Sequence, residues 1–216
     1  MFYTIFLNMK TTKSLFLLFF VFALSFSASA QVNTSIGLRA GLNVANFYGK
    51  DAEPYSGKVG ANAGLVFNYS VVSTFGITAE VDFAMKGALL QSTNSPDITT
   101  SLNYGQLAII PTYYFASEGS DLVPKLFIGG SYGILLSAKQ KVGDAAAQDV
   151  KADFESGDLG LLLGAGLHYR LGQGRWLLFD VRFHRGLTDI TKSSLSTLNN
   201  GVLALNVGVT FPLGNY

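Results

Sequence analysis

Cysteine is absent from the chain, which excludes a disulfide framework, a thiol nucleophile and a thiolate metal site. Charge is scarce as well. Asp, Glu, Lys and Arg make up 13% of the residues, against about 25% in an ordinary soluble domain. The charges nearly balance, at +1 overall, so no basic field exists to hold nucleic acid. Long apolar runs are also missing. Past the first thirty residues, nothing approaches the roughly 18 consecutive apolar residues of a membrane helix. A chain with these deficits can still cross a bilayer, but only as strands that satisfy one another's backbone groups.

The single greasy stretch lies at the N-terminus and reads as an export signal. Lys10 and Lys13 supply the positive region, Leu15 to Phe26 the apolar core, and Ala28-Ser29-Ala30 a small-x-small cleavage site. Cleavage after Ala30 divides the chain into a signal peptide, residues 1–30, and a mature domain, residues 31–216. The core is too short for an ordinary spanning helix. Met9 is an alternative start to Met1. Lys10 and Lys13 leave with the signal, so 13 basic residues remain against 14 acidic.

What the mature part has is alternation. Leu203, Leu205, Val207, Val209 and Phe211 share one face; Ala204, Asn206, Gly208 and Thr210 share the other. The same period recurs in eight segments: residues 34–44, 58–70, 74–90, 102–115, 124–138, 158–171, 175–188 and 202–213. Their connectors alternate between long and polar (46–57, 91–101, 139–157, 189–201) and short (71–73, 116–123, 172–174). An even strand number with long loops opposite short turns is the outer-membrane pattern, with both mature termini expected in the periplasm. Twelve residues at about 3.3 Å each, tilted by about 40°, cover the apolar band.

Cost assigns the faces. Arg39, Glu80, Asp82, Lys86, Arg170, Asp180 and Arg182 all fall in the polar register. Turned towards lipid, a central Arg or Lys would cost about 2–4 kcal/mol. They are therefore expected to point inward. A lipocalin-like soluble barrel would reverse the faces, but the polar register is mostly Gly, Ala, Ser and Asn, a poor soluble surface. The expected fold is all-β: an eight-stranded antiparallel up-and-down transmembrane β-barrel. Tyr69, Phe75, Tyr113, Phe115, Tyr169 and Trp176 lie near the short turns, where an interfacial aromatic girdle belongs.

Several clusters could carry chemistry. Arg39, Glu80, Asp82, Asp180 and Arg182 should lie at one depth, as a salt-bridge plug or as a selectivity ring. An eight-stranded lumen has room for little beyond side chains, which favours the plug. Glu80 and Asp82 are then neutralised carboxylates rather than an acid/base pair. His168 and His184 face inward without a third ligand, which suits hydrogen-bonded lumen histidines better than a metal or pH-sensing site. The acidic loop 139–157 lacks calcium-loop spacing, and Gly172-Gln173-Gly174 is a tight turn. No nucleophile elbow accompanies Ser, Asp or His. No enzyme activity, cofactor or metal is expected.

Six segments in order resemble the PorT-like outer-membrane β-barrel family. They are Gly37-Leu38-Arg39-Ala40-Gly41-Leu42-Asn43, Ala79-Glu80-Val81-Asp82-Phe83-Ala84-Met85-Lys86-Gly87, Leu102-Asn103-Tyr104, and the stretches 126–139, 158–169 and 180–190. The resemblance spans the mature chain. One departure is Ala108 where the family has a proline; Pro111 comes later, where a bulge or a strand end is expected. The resemblance implies an outer-membrane location and, for the family's namesake members, an accessory role in surface-protein secretion. Expected partners are outer-membrane lipid and, on that reading, other envelope or secretion proteins. The barrel itself is expected to be a monomer.

Overall fold

Eight long strands realise the alternation, and their hydrogen bonds close into a ring. In the computed structural model, which describes residues 34–50, 52, 55–91, 95–117, 119–194 and 196–214, the strands are β1 (Thr34–Tyr48), β2 (Lys58–Val72), β3 (Phe75–Leu90), β4 (Ile98–Tyr114), β5 (Leu122–Val142), β6 (Gly157–Gly172), β7 (Arg175–Gly186) and β8 (Asn199–Pro212). The expected signal peptide and the choice between Met1 and Met9 lie outside the described residues. Every strand pairs antiparallel with its sequence neighbour, and β1 meets β8 from Ser35↔Pro212 to Tyr48↔Asn199. Closure leaves no sheet edge at membrane depth, the condition for spanning a bilayer with strands.

Side-chain exposure settles which face is which. Leu42 is 67% exposed and Leu205 63%, whereas Glu80 is 4% and Asp180 5%. An outer wall of exposed Leu, Ile, Val and Phe around a charged interior is that of a membrane barrel. A soluble chain exposing so large an apolar area would associate. The lipocalin-like alternative is thereby removed.

The two ends differ. One carries short connections: Ser73-Thr74, residues 115–121, and the Gly172-Gln173-Gly174 turn, where Gln173 takes a positive φ of 51° between two positive-φ glycines. The first described residue, Thr34, meets Leu213, next to the last, at this end. At the other end β4 and β5 run on, and two-residue strands cover the flanks of the raised wall. Tyr55–Ser56 pairs with β3, and Gln148–Asp149 with β5, which shields edges that would otherwise template association.

Two local expectations need correction. Pro111 makes neither a bulge nor a strand end. It faces outward beside Ile77, and the β4–β5 ladder opens over residues 110–111 and resumes in the same register. The β4–β5 bulge lies instead opposite Asn103 and Tyr104, where Leu136 is the extra residue. Trp176 does not join the outer girdle: its ring is 6.1 Å from that of His168, inside the mouth of the barrel. Tyr69, Phe75, Tyr113, Phe115 and Tyr169 are exposed on the outer wall.

Candidate functional site

At one level of the lumen the charged side chains come from alternate strands, and the strands between supply several of the small residues beside them. Arg39 comes from β1, Glu80 and Asp82 from β3, Lys125 from β5, and Asp180 and Arg182 from β7. Their strand partners include the small residues Gly64, Ala108, Gly164, Gly166, Ala204 and Gly208, beside the larger Val66, Gln106, Tyr114 and Asn206. The glycines provide room rather than flexibility. A methyl group at Gly64 would run into Asp82 Oδ1 and the Val81 carbonyl, and one at Gly166 into the Phe179 carbonyl. The small residues among these partners let six charged side chains share one level of a narrow lumen.

They meet as one layer. Arg182 donates to both oxygens of Glu80 (2.7 and 3.2 Å) and both oxygens of Asp180 (2.9 and 3.1 Å). Arg39 Nη2 donates to Asp82 Oδ2 at 2.6 Å and lies 3.1 Å from Glu80 Oε2. Asn206 donates to Asp180 Oδ1 at 2.8 Å, and Lys125 Nζ stands 4.0 Å from Asp180. Three cations face three anions, all buried. Such a layer is charge-neutral, and its bidentate forks fix the rotation of β7 against β3.

Lys86 belongs to a second, separate pair. Its Nζ lies 2.9 Å from Asp158 Oδ2 on β6 and 4.9 Å over the Tyr104 ring. Asn200 completes the group, donating to Asp158 at 2.9 Å and to Tyr104 OH at 3.3 Å. Arg170 is not in the lumen. It lies near the end of β6, next to a register shift, with its side chain 47% exposed. At the mouth the lumen opens, and Arg170 stacks on Trp176 and approaches Asp121 at 3.8 Å. An exposed pair of that length contributes little.

Both histidines are buried in the lumen but at different depths. His184 shares a 2.7 Å hydrogen bond with Ser131 Oγ. His168 sits six residues further along β6 from His184's strand partner Leu162, with its ring 5.2 Å from Tyr114. Among the described residues, no group of three or more His, Asp or Glu is placed to hold a metal.

Free space is small. A cavity of about 40 Å³ lies on one side of the charge layer and one of about 10 Å³ on the other, with Arg39 and Arg182 lining both. Asn43 Oδ1, Asn62 Oδ1, Asp82 Oδ1, Gln106 Oε1 and Arg39 Nε, all without a protein partner, belong to residues lining the larger one. It has room for about three waters, and for no solute.

A second barrier, illegible in the sequence, closes the long-loop end. Phe47, Ala88, Leu102, Tyr104, Leu135 and Ala138 from the wall pack with Ala52, Ile190 and Leu198 from the loops. The loops are clipped together by a Phe154↔Thr191 bridge and by Glu155 N–H donating to the Ile190 carbonyl at 2.9 Å. Asp189 Oδ1 accepts from the backbone N–H groups of Thr191 and Leu198, which turns the loop inward. Thus Ile190 is fully buried although it lies beyond the end of β7.

Residues 29–192 match the family described as outer membrane protein beta-barrel domain. The chain belongs to that family. Its place is accordingly the outer membrane. Among solved structures, a major outer membrane protein from Thermus thermophilus is similar at 15% identity and a TM-score of 0.51, with 83% of this chain and 99% of that one covered. The attachment invasion locus protein Ail of Yersinia pestis (15% identity, TM-score 0.45, 83% and 99% covered) and Neisserial surface protein A (14%, 0.46, 82% and 97%) are also similar. At such identities the likeness concerns the fold alone. No curated protein matches the chain.

Proposed function

We propose that this family member is a structural outer-membrane barrel, closed to solutes, whose long loops form its working surface. The observation that carries this is the double barrier: a neutral ion-pair layer across the lumen, and an apolar lid of loop residues above it. A selectivity ring would need a continuous aqueous path beside its charges. The orientation that follows has the termini in the periplasm and the clipped loops outside, where binding segments are carried by a rigid scaffold. The working unit is a monomer in lipid, and it carries out no reaction.

Planar-bilayer recording tests the closed lumen. The purified mature barrel should give no discrete conductance steps, whereas regular steps from the wild-type chain would establish a pore. The accessory role in surface-protein secretion rests on the ordered motifs from Gly37-Leu38-Arg39 to Asp180. It requires co-purification with envelope proteins, and cargo held in the periplasm when the gene is deleted.

A further inference from the structure

The outer face of β7 reads Arg175, Leu177, Phe179, Val181, Phe183, Arg185: four apolar residues bracketed by two cations. Ten residues at about 3.3 Å each, tilted by about 40°, put the arginines roughly 25 Å apart along the membrane normal. That separation matches the height of the apolar band, so each guanidinium stands at headgroup level. The two are held differently. Arg175 Nε donates to the Gly172 carbonyl at 3.3 Å and its Nη2 to Gln173 Oε1 at 3.1 Å. The Arg185 side chain has no hydrogen bond or ion pair within the protein among the described residues. Its one partner is a ring: the guanidinium carbon lies 4.2 Å from the centroid of Tyr48.

That ring is built into position. Tyr48 belongs to β1, yet it lies across Gly201 of β8, where a Cβ would fall on the ring atoms Cε2 and Cδ2. It reaches β7 and meets Phe183 edge-on, 6.4 Å between centroids at 84°. Stacking occupies the flat face of Arg185 and leaves its N–H fork free. The residues paired with Arg185 on either side are Leu161 and Gly201, so no carboxylate stands beside it on the wall.

We propose that Arg185, oriented by Tyr48 across Gly201, is a binding site for the phosphate of a membrane lipid in the leaflet at the long-loop end. A guanidinium fork matches phosphate oxygens bidentately, and at this depth the available anion is the headgroup. The proposal does not depend on whether the lumen conducts.

Native mass spectrometry of the folded mature barrel in a maltoside detergent, titrated with phosphatidylglycerol, tests it. Arg185→Gln should weaken the first lipid bound by about fivefold, the equivalent of one cation near an anionic surface. Arg185→Lys should retain part of the binding, and Arg175→Gln should bind like the wild type. A galactosyl diacylglycerol, which has no phosphate, should show no difference between the variants. Heat-dependent gel migration checks that each variant is folded. Equal phosphatidylglycerol binding by wild type and Arg185→Gln would overturn the site, as would an equal loss in Arg175→Gln. Wild-type binding abolished by millimolar inorganic phosphate would make it a free-anion site rather than a lipid site.

Discussion

Arg182→Leu should cost the folded barrel about 3–5 kcal/mol, the range for removing one partner from a buried ion pair. Arg182 is the hub of the lumen layer, bonded to both oxygens of Glu80 and of Asp180. Its loss leaves three carboxylates facing two cations beside a cavity too small to solvate them fully. Equilibrium urea unfolding in phospholipid vesicles would measure the change. The double variant Glu80→Met, Arg182→Met should recover at least half of it, since replacing both charges with apolar groups is far less costly than orphaning one. A single variant within about 1 kcal/mol of wild type would mean that the layer is hydrated and loosely paired.

Leu205→Arg should cost about 2–4 kcal/mol, because position 205 is near the middle of β8 and its side chain faces lipid. The same change at Leu213, beyond the end of β8 at the short-turn end, should cost no more than about 1 kcal/mol, since the penalty falls towards the interface. The difference between two arginines on the same outer face reports depth, apart from any effect of charge on the unfolded chain. Equal costs at both positions would argue that this face is not in hydrocarbon.

How much of this could be read from residues alone followed from how cleanly each strand alternates. Strands β1, β3, β7 and β8 have one greasy side, so parity alone points Arg39, Glu80, Asp82, Asp180 and Arg182 inward, and the structure places them in contact. Lys125 was hidden because β5 is apolar on both faces: Leu126 and Ile128 face out, while Phe127 and Leu135 face in. Asp158 was reachable by carrying the β6 parity back two residues from Gly160. That residue lies at the start of β6, where a boundary error of two residues is ordinary.

Arg170 departs from its inward parity for the opposite reason. Parity gives direction but not depth, and the lumen ends before the strand does. The loop lid was illegible because Ile190 and Leu198 are buried by contacts between loops distant in sequence, through Asp189 and the Phe154↔Thr191 bridge. No local period encodes such contacts. The Tyr48–Gly201–Arg185 arrangement spans three strands, so register had to be known before it could appear.

Methyl-labelled NMR of the unmutated barrel in nanodiscs containing a lipid with a nitroxide on its acyl chain tests the assignment of faces most directly. Methyl signals of Leu38, Leu42, Leu205 and Val207 should broaden strongly, while those of Val66, Leu162, Leu178 and Val202 stay sharp. Broadening of the second set with sparing of the first, or uniform broadening of both, would contradict a barrel with its charges inside and its aliphatic wall in lipid.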